Sequence, residues 1–211
     1  MNDIVIAKKL LRYLPKYWDG KKCILELKEA NYNWRQMEWW AFYFEWQCNN
    51  TLECEFLIPG DRINNVTFDA KREINWDYKA KAIKSDDHRA ILNDCEAMEL
   101  SIDKYGAHGE IIALCDVEYN DVDRSFQQWH TKLKGGKSQY ELNRIKRTSV
   151  SRYRKVSAEL TEIIFLIIYE KDLDNLSIMH QGRNSNGRLR PPKYLLDLEN
   201  INSFKYSLIQ F

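Results

Sequence analysis

Apolar residues recur at helical spacing over residues 3–14, at Ile4, Ile6, Ala7, Leu10, Leu11 and Leu14, and Pro15 stops the pattern. A second helix is predicted over about 33–48, where Trp34, Trp39, Trp40, Phe42, Tyr43, Phe44 and Trp46 put apolar groups all round and imply burial. Three strands should follow near 53–58, 65–70 and 74–83, separated by Pro59-Gly60-Asp61 and by polar residues. A helix near 94–105, closed by Gly106, and a buried strand over Glu110–Tyr119 complete the order α-β-β-β-α-β. Beyond it, about 122–147 reads as helical with a break at Gly135-Gly136, 156–170 as β-rich and 180–193 as loop. No repeat, heptad array or low-complexity tract interrupts the chain, and nothing marks a boundary. The expectation is one domain over residues 1–211, of mixed α/β (α+β) class.

Composition changes this picture little. Hydrophobic residues make up 44% and charged ones 30%, an ordinary globular profile. No apolar run approaches the ~20 residues that span a bilayer, and the first residues lack the layout of a secretory signal. Five cysteines, Cys23, Cys48, Cys54, Cys95 and Cys115, are odd in number and form no Cys-x-x-Cys pair, so reduced thiols in a cytoplasmic protein are expected.

Charge distribution matters more than its total. The chain is +1 as a whole, yet residues 131–155 hold nine Lys/Arg against Glu141 alone. Residues 181–193 add Arg183, Arg188, Arg190 and Lys193 with no acid, which leaves the rest of the chain acidic. Such segregation suits an acidic body with one phosphate-facing side.

The candidate chemistry lies in Val66–Ile83. In a strand, residues i and i+2 share a face, so Asp77 and Lys79 project together, and a tight link would bring Asp69 beside them. Two carboxylates beside an ammonium can bind a divalent metal and stabilise phosphate charge. Trp76, Tyr78, Ala80 and Ala82 would form the opposite, packed face. A rival assignment takes Asp61 as the first acid and Asp69-Ala-Lys71 as the triplet. Asp116 and Glu118 form a third candidate pair, read as a strand end entering solvent. Among the histidines, His88, His108 and His180 fall in loops or turns, and His130 beside Trp129 reads as packed.

That order, with Asp-x-Lys following an acid at a strand end, resembles the PD-(D/E)XK nuclease superfamily. More narrowly, Trp76-Asp-Tyr-Lys-Ala-Lys-Ala, Leu92-Asn-Asp94, Asp121-Val-Asp-Arg-Ser-Phe-Gln-Gln-Trp-His130, Leu133-Lys-Gly-Gly-Lys-Ser-Gln-Tyr-Glu141 and Ser151-Arg-Tyr-Arg-Lys155 look like runs of bacterial type II restriction endonucleases. The chain departs from the family formula in that Phe68 precedes Asp69 and only seven residues separate Asp69 from Asp77, which requires a tight hairpin.

The resemblance implies a nuclease-like core over about 30–120, a mixed sheet flanked by helices, with C-terminal additions and a basic DNA-recognition region over about 121–193. It implies Mg²⁺ held by Asp69, Asp77 and the Tyr78 carbonyl. Lys79 would orient or help deprotonate the attacking water. The helix before the sheet would add a Glu, for which Glu38 is the choice and Glu45 the reserve. The implied activity is sequence-specific hydrolysis of double-stranded DNA by a bacterial, cytoplasmic homodimer with a cognate DNA methyltransferase as companion. Lys134, Lys137, Ser138, Tyr140, Arg144, Arg147, Arg152, Arg154 and Lys155 are candidates for DNA contact, as are Arg183, Asn184, Arg188 and Arg190. A repair or structure-specific nuclease, or a catalytically silent nucleic-acid-binding protein, are the competing readings.

Overall fold

The computed structural model describes residues 2–83, 87–119, 122–146, 154–183 and 187–211. In chain order, the helices are α1 (Asp3–Leu11), α2 (Gly20–Glu29), α3 (Trp39–Leu52), α4 (Cys95–Tyr105), α5 (Ser125–Leu133) and α6 (Gln139–Lys146). The strands are β1 (Tyr17–Asp19), β2 (Arg62–Ile63), β3 (Val66–Thr67), β4 (Ala70–Lys71), β5 (Asn75–Ala82), β6 (Arg89–Asp94), β7 (His108–Tyr119), β8 (Lys155–Ile168), β9 (Ser177–Met179), β10 (Lys193–Asp197) and β11 (Lys205–Gln210).

The main sheet runs β1-β8-β7-β5-β4, with β11 also on β8. It is mixed: β5 and β7 are parallel, and the other pairs are antiparallel. The parallel pair needs a crossover, and the chain supplies β6 and α4 between the two strands. Gly106, in the left-handed region at φ 78°, closes α4 where the sequence places its stop.

Strand alternation sorts the core into two layers. Ile111, Ala113, Cys115, Ile163, Phe165 and Ile167 face α1, α2 and α3, together with Trp76 and Tyr78. Ile112, Ile164, Leu166 and Ile168 face the other way, onto Leu92, Met98, Ile102, Tyr194 and Leu196. One acid fixes the first layer to the hairpin: Asp3 is fully buried, and its carboxylate accepts from the Arg72 side chain, the Glu73 backbone and the Trp76 indole at 3.0–3.1 Å.

Some elements differ from the sequence expectation. The aromatic helix starts at Trp39 and runs on to Leu52, which consumes the approach to the strand expected at 53–58; of the described residues there, only Leu57 makes an isolated bridge, to Lys71. The strand expected at 65–70 is two short pieces, β3 and β4, with Asp69 in the break between them. The helical stretch at 122–147 does divide at Gly135-Gly136, both at positive φ, into α5 and α6.

Candidate functional site

The second face of the sheet is apolar at Ile164, Leu166 and Ile168 of β8 and at Ile112 and Leu114 of β7, but not on β5. There the alternation places Asn75, Asp77, Lys79 and Lys81, and the parallel register sets Asn75 against His108 and Asp77 against Glu110. His108 and Glu110 are fully buried and Asp77 is 5% exposed. Charged side chains are almost never buried unless paired, so this strip is where the fold departs from simple core building.

The pairs are dense. Lys79 Nζ lies 3.8 Å from Asp77 Oδ1 and 3.6 Å from Glu110 Oε2. His108 Nε2 lies 3.3 Å from Asp77 Oδ2 and 3.6 Å from Glu110 Oε1. From β6, the Asn93 amide donates to Asp77 Oδ2, and the Asn93 backbone N–H donates to Glu110 Oε1 at 3.2 Å. Asp69 joins from the hairpin, its Oδ2 accepting the Tyr78 N–H at 2.7 Å. Beyond Trp76 no described strand pairs with that side of β5, so Asp69 and the Tyr78 carbonyl share an open strand edge. Gly109 lets this geometry close, because a Cβ there would stand 2.3 Å from the Trp76 ring that crosses it.

Electrostatics follow from the crowding. Burial disfavours the charge on Asp69 and the neighbouring Asp77 adds repulsion, so the Asp69 carboxyl is pushed well above the usual range. Burial acts on Asp77 in the same sense, but Lys79 and His108 outweigh it and hold that carboxyl low. The two acids are thus driven in opposite directions, Asp69 toward holding a proton and Asp77 toward staying ionised. Burial would lower His108, yet the flanking Asp77 and Glu110 lift it to about 9. Lys79 is likewise raised against its burial, by Asp77, Glu110, Asp69 and Glu45.

Placement of the remaining sequence candidates separates them. Glu45 on α3 takes the Tyr32 hydroxyl hydrogen bond and lies within the electrostatic reach of Lys79, Asp77 and Asp69; burial raises its pKa. Glu38, the preferred choice from sequence, instead stands at the start of α3 and pairs with Lys155 and the Trp40 indole. In the rival assignment, Asp61 pairs with Lys104 at 3.3 Å and Lys71 lies over the Tyr105 ring. Asp116 and Glu118 are exposed on β7. His130 is packed, bonded to the Trp34 carbonyl at 2.9 Å and lowered to about 4 by burial.

The basic candidates fall into several environments. Arg154 is only 5% exposed and faces Glu141 at 3.5 Å, which makes it an internal group and not a surface phosphate ligand. Lys155 lies over the Trp40 ring in the groove described below. Lys134 is partly buried, with its ammonium pKa lowered by that burial. Ser138 caps α6 by accepting the Glu141 N–H at 3.2 Å. Lys137, Arg188 and Arg190 are exposed, and Arg183 bonds the Gly187 carbonyl at 2.8 Å. Arg147, Arg152 and Asn184 lie outside the described residues, as do the side chains of Tyr140 and Arg144.

Three members were not singled out from sequence: Glu110, His108 and Asn93. Asp77, His108 and Glu110 offer ligand atoms within 4.8 Å of one another, a spacing that can hold a metal ion. Glu110 Oε2 has no hydrogen-bond partner among the described residues, and burial together with the neighbouring Asp77 disfavours the charge on Asp69. Both are conditions that a divalent cation relieves, so the donor set fits one. Beside it, Glu38, Trp40, Lys79, Lys81, Arg89 and Lys155 line a groove along the open side of β5.

No family model, curated protein or solved structure matches this chain. Among the described residues, no helix is long and apolar enough to cross a membrane.

Proposed function

We propose that this chain is a divalent-metal-dependent nuclease with a PD-(D/E)XK-type core, which hydrolyses phosphodiester bonds of double-stranded DNA with Mg²⁺. The observation that carries the reading is the strip of Asp77, Lys79 and Glu110, with Asp69 at its edge, set beside the Ile and Leu residues of β7 and β8 on the same sheet face. Asp69, Asp77, Glu110 and the Tyr78 carbonyl form an oxygen donor set, which suits Mg²⁺ better than a soft metal. When bound, the ion supplies charge neutralisation at the phosphate. Lys79, held in its ammonium form chiefly by Asp77 and Glu110, donates to a phosphate oxygen or to the attacking water and does not serve as a base. His108, flanked by two acids, keeps Asp77 and Glu110 turned toward each other. A type II restriction enzyme is the particular reading. A homodimer matches the two-fold symmetry of a palindromic site, and a DNA methyltransferase would protect the host.

The depth of Asp77, His108 and Glu110 favours a second reading, in which a buried ion network serves the fold alone and the protein binds nucleic acid without cutting it. Plasmid DNA incubated with the protein and either Mg²⁺ or EDTA separates them. Discrete fragments with Mg²⁺, lost in a folded Asp77→Asn variant, are the expected result. Nicking at lesions or junctions would indicate a repair nuclease, and a gel shift with no cutting under any divalent ion would refute the catalytic reading.

A further inference from the structure

Lys81 continues the polar strip two residues beyond Lys79, about 6.7 Å further along β5. Its side chain is 13% exposed and its Nζ lies 3.3 Å from Asp87 Oδ2. The other oxygen of the same carboxylate, Oδ1, lies 3.7 Å from Arg89 Nε and accepts the Arg89 backbone N–H at 3.2 Å. One acid therefore sits between two cations, and all three residues line the groove that also holds Lys79. The Asp87 side chain is 47% exposed, so solvent reaches the acid more readily than the lysine beneath it. A bridging carboxylate of this kind occupies the position that an oxyanion of a ligand would take. The step from Lys79 to Lys81 is comparable with the separation of neighbouring phosphates on one nucleic-acid strand.

We propose that Lys81 and Arg89 bind the backbone phosphate adjacent to the one held at Asp77 and Lys79, and that Asp87 occupies this phosphate subsite in the free protein. Duplex DNA entering the groove exchanges one anion for another: the Asp87 carboxylate swings out to solvent and the phosphate takes both cations. The subsite deepens the nuclease reading and depends on it for the identity of its neighbour, but the binding it describes needs neither metal nor cleavage.

The test is equilibrium binding of a fluorescent DNA duplex in EDTA, followed by anisotropy across a salt series, for the full-length wild type and for Lys81→Gln, Lys81→Arg and Asp87→Asn. Removing one phosphate contact should lower the salt slope by about 0.9 and weaken binding roughly five- to tenfold near 0.1 M salt. Lys81→Arg should keep the slope, which guards against a folding defect in the glutamine variant. Asp87→Asn should tighten binding by about two- to fivefold, the worth of a partly exposed ion pair no longer broken on binding. An unchanged slope in Lys81→Gln, or weaker binding in Asp87→Asn, overturns the proposal. If the wild type cuts DNA with Mg²⁺ while Lys81→Gln binds normally, the subsite fails and the nuclease reading stands. If no protein cuts but Lys81→Gln still loses affinity and slope, the subsite stands and the catalytic reading fails. A wild type that does not bind the duplex in EDTA overturns the subsite and leaves the nuclease reading to the cleavage assay with Mg²⁺.

Discussion

Replacing Lys79 by methionine keeps much of the bulk of the stem and removes the ammonium shared by Asp77 and Glu110. At the observed 3.8 and 3.6 Å, each attraction is about 4–5 kcal/mol in an effective dielectric of 20. Most of that is offset by the desolvation of a lysine whose side chain is 23% exposed. What remains decisive is the state left behind: two carboxyls, 8% and 0% exposed, opposite one another in the β5–β7 register with only His108 between them. Leaving buried charge uncompensated costs about 3–5 kcal/mol, which for a chain of this size lowers the melting temperature by roughly 6–15 °C. Proton uptake by Asp77 relieves part of it. The Asp77 carboxyl is held below its unfolded value in the wild type, so its contribution is present above about pH 4 and lost as pH falls below that range. The gap between wild type and variant should therefore be widest near pH 7 and shrink toward pH 4. Thermal melts in EDTA at the two pH values measure it, and Mg²⁺ at pH 7 should restore part of the loss by supplying the missing charge. Cleavage of plasmid DNA should fall by at least about 10²-fold. A variant that melts within about 2 °C of the wild type at both pH values would refute the claim that Lys79 neutralises this cluster.

Three further outcomes follow from the same geometry. His108 is raised to about 9, so its contribution is complete below about pH 6.5 and lost as pH rises through 9; in urea titrations in EDTA it should account for on the order of 3 kcal/mol of the fall in wild-type stability over that interval, the raised Asp69 adding to the fall, so His108→Gln should make the dependence shallower without abolishing it. Gly109→Ala drives a methyl into the Trp76 ring and should cost about 1–3 kcal/mol by the same titration at pH 7. Glu45→Gln, at a residue within electrostatic reach of Lys79 and Asp69, should slow Mg²⁺-dependent cleavage and raise the Mg²⁺ concentration needed for half-maximal rate, whereas Glu38→Gln, at a residue paired with Lys155 and the Trp40 indole, should leave that concentration unchanged.

How far the sequence discloses this arrangement depends on whether a feature is local. The Trp76–Ala82 alternation puts Asp77 and Lys79 on one face and the aromatic residues on the other, because a period of two needs no knowledge of neighbouring strands. Helix α2, which is not among the elements predicted from sequence, is equally local: Asp19 caps it by accepting the Lys22 N–H at 2.8 Å, and Cys23, Ile24 and Leu27 give it a buried stripe. The C-terminal strands β10 and β11 are short and half-buried, and their pairing with β6 and β8 is set by residues more than thirty-five positions away. Charge counting has a different blind spot. It gives the basic run at 131–155 but not the inward turn of Arg154 to Glu141, since burial is a property of the packed chain.

Glu110 and His108 mark the limit most clearly. They meet Asp77 only through a parallel register fixed after a crossover that runs through β6 and α4, and a strand read alone carries no register. A slip of one residue in that pairing would turn Glu110 into the aromatic layer and bring Ile111 against Lys79, so the same packing that buries Ile111 and Ile112 on opposite faces also specifies the acid cluster. The apolar residues of β7 thus have a chemical consequence: by choosing which face each side chain takes, they determine how many carboxyls surround one lysine.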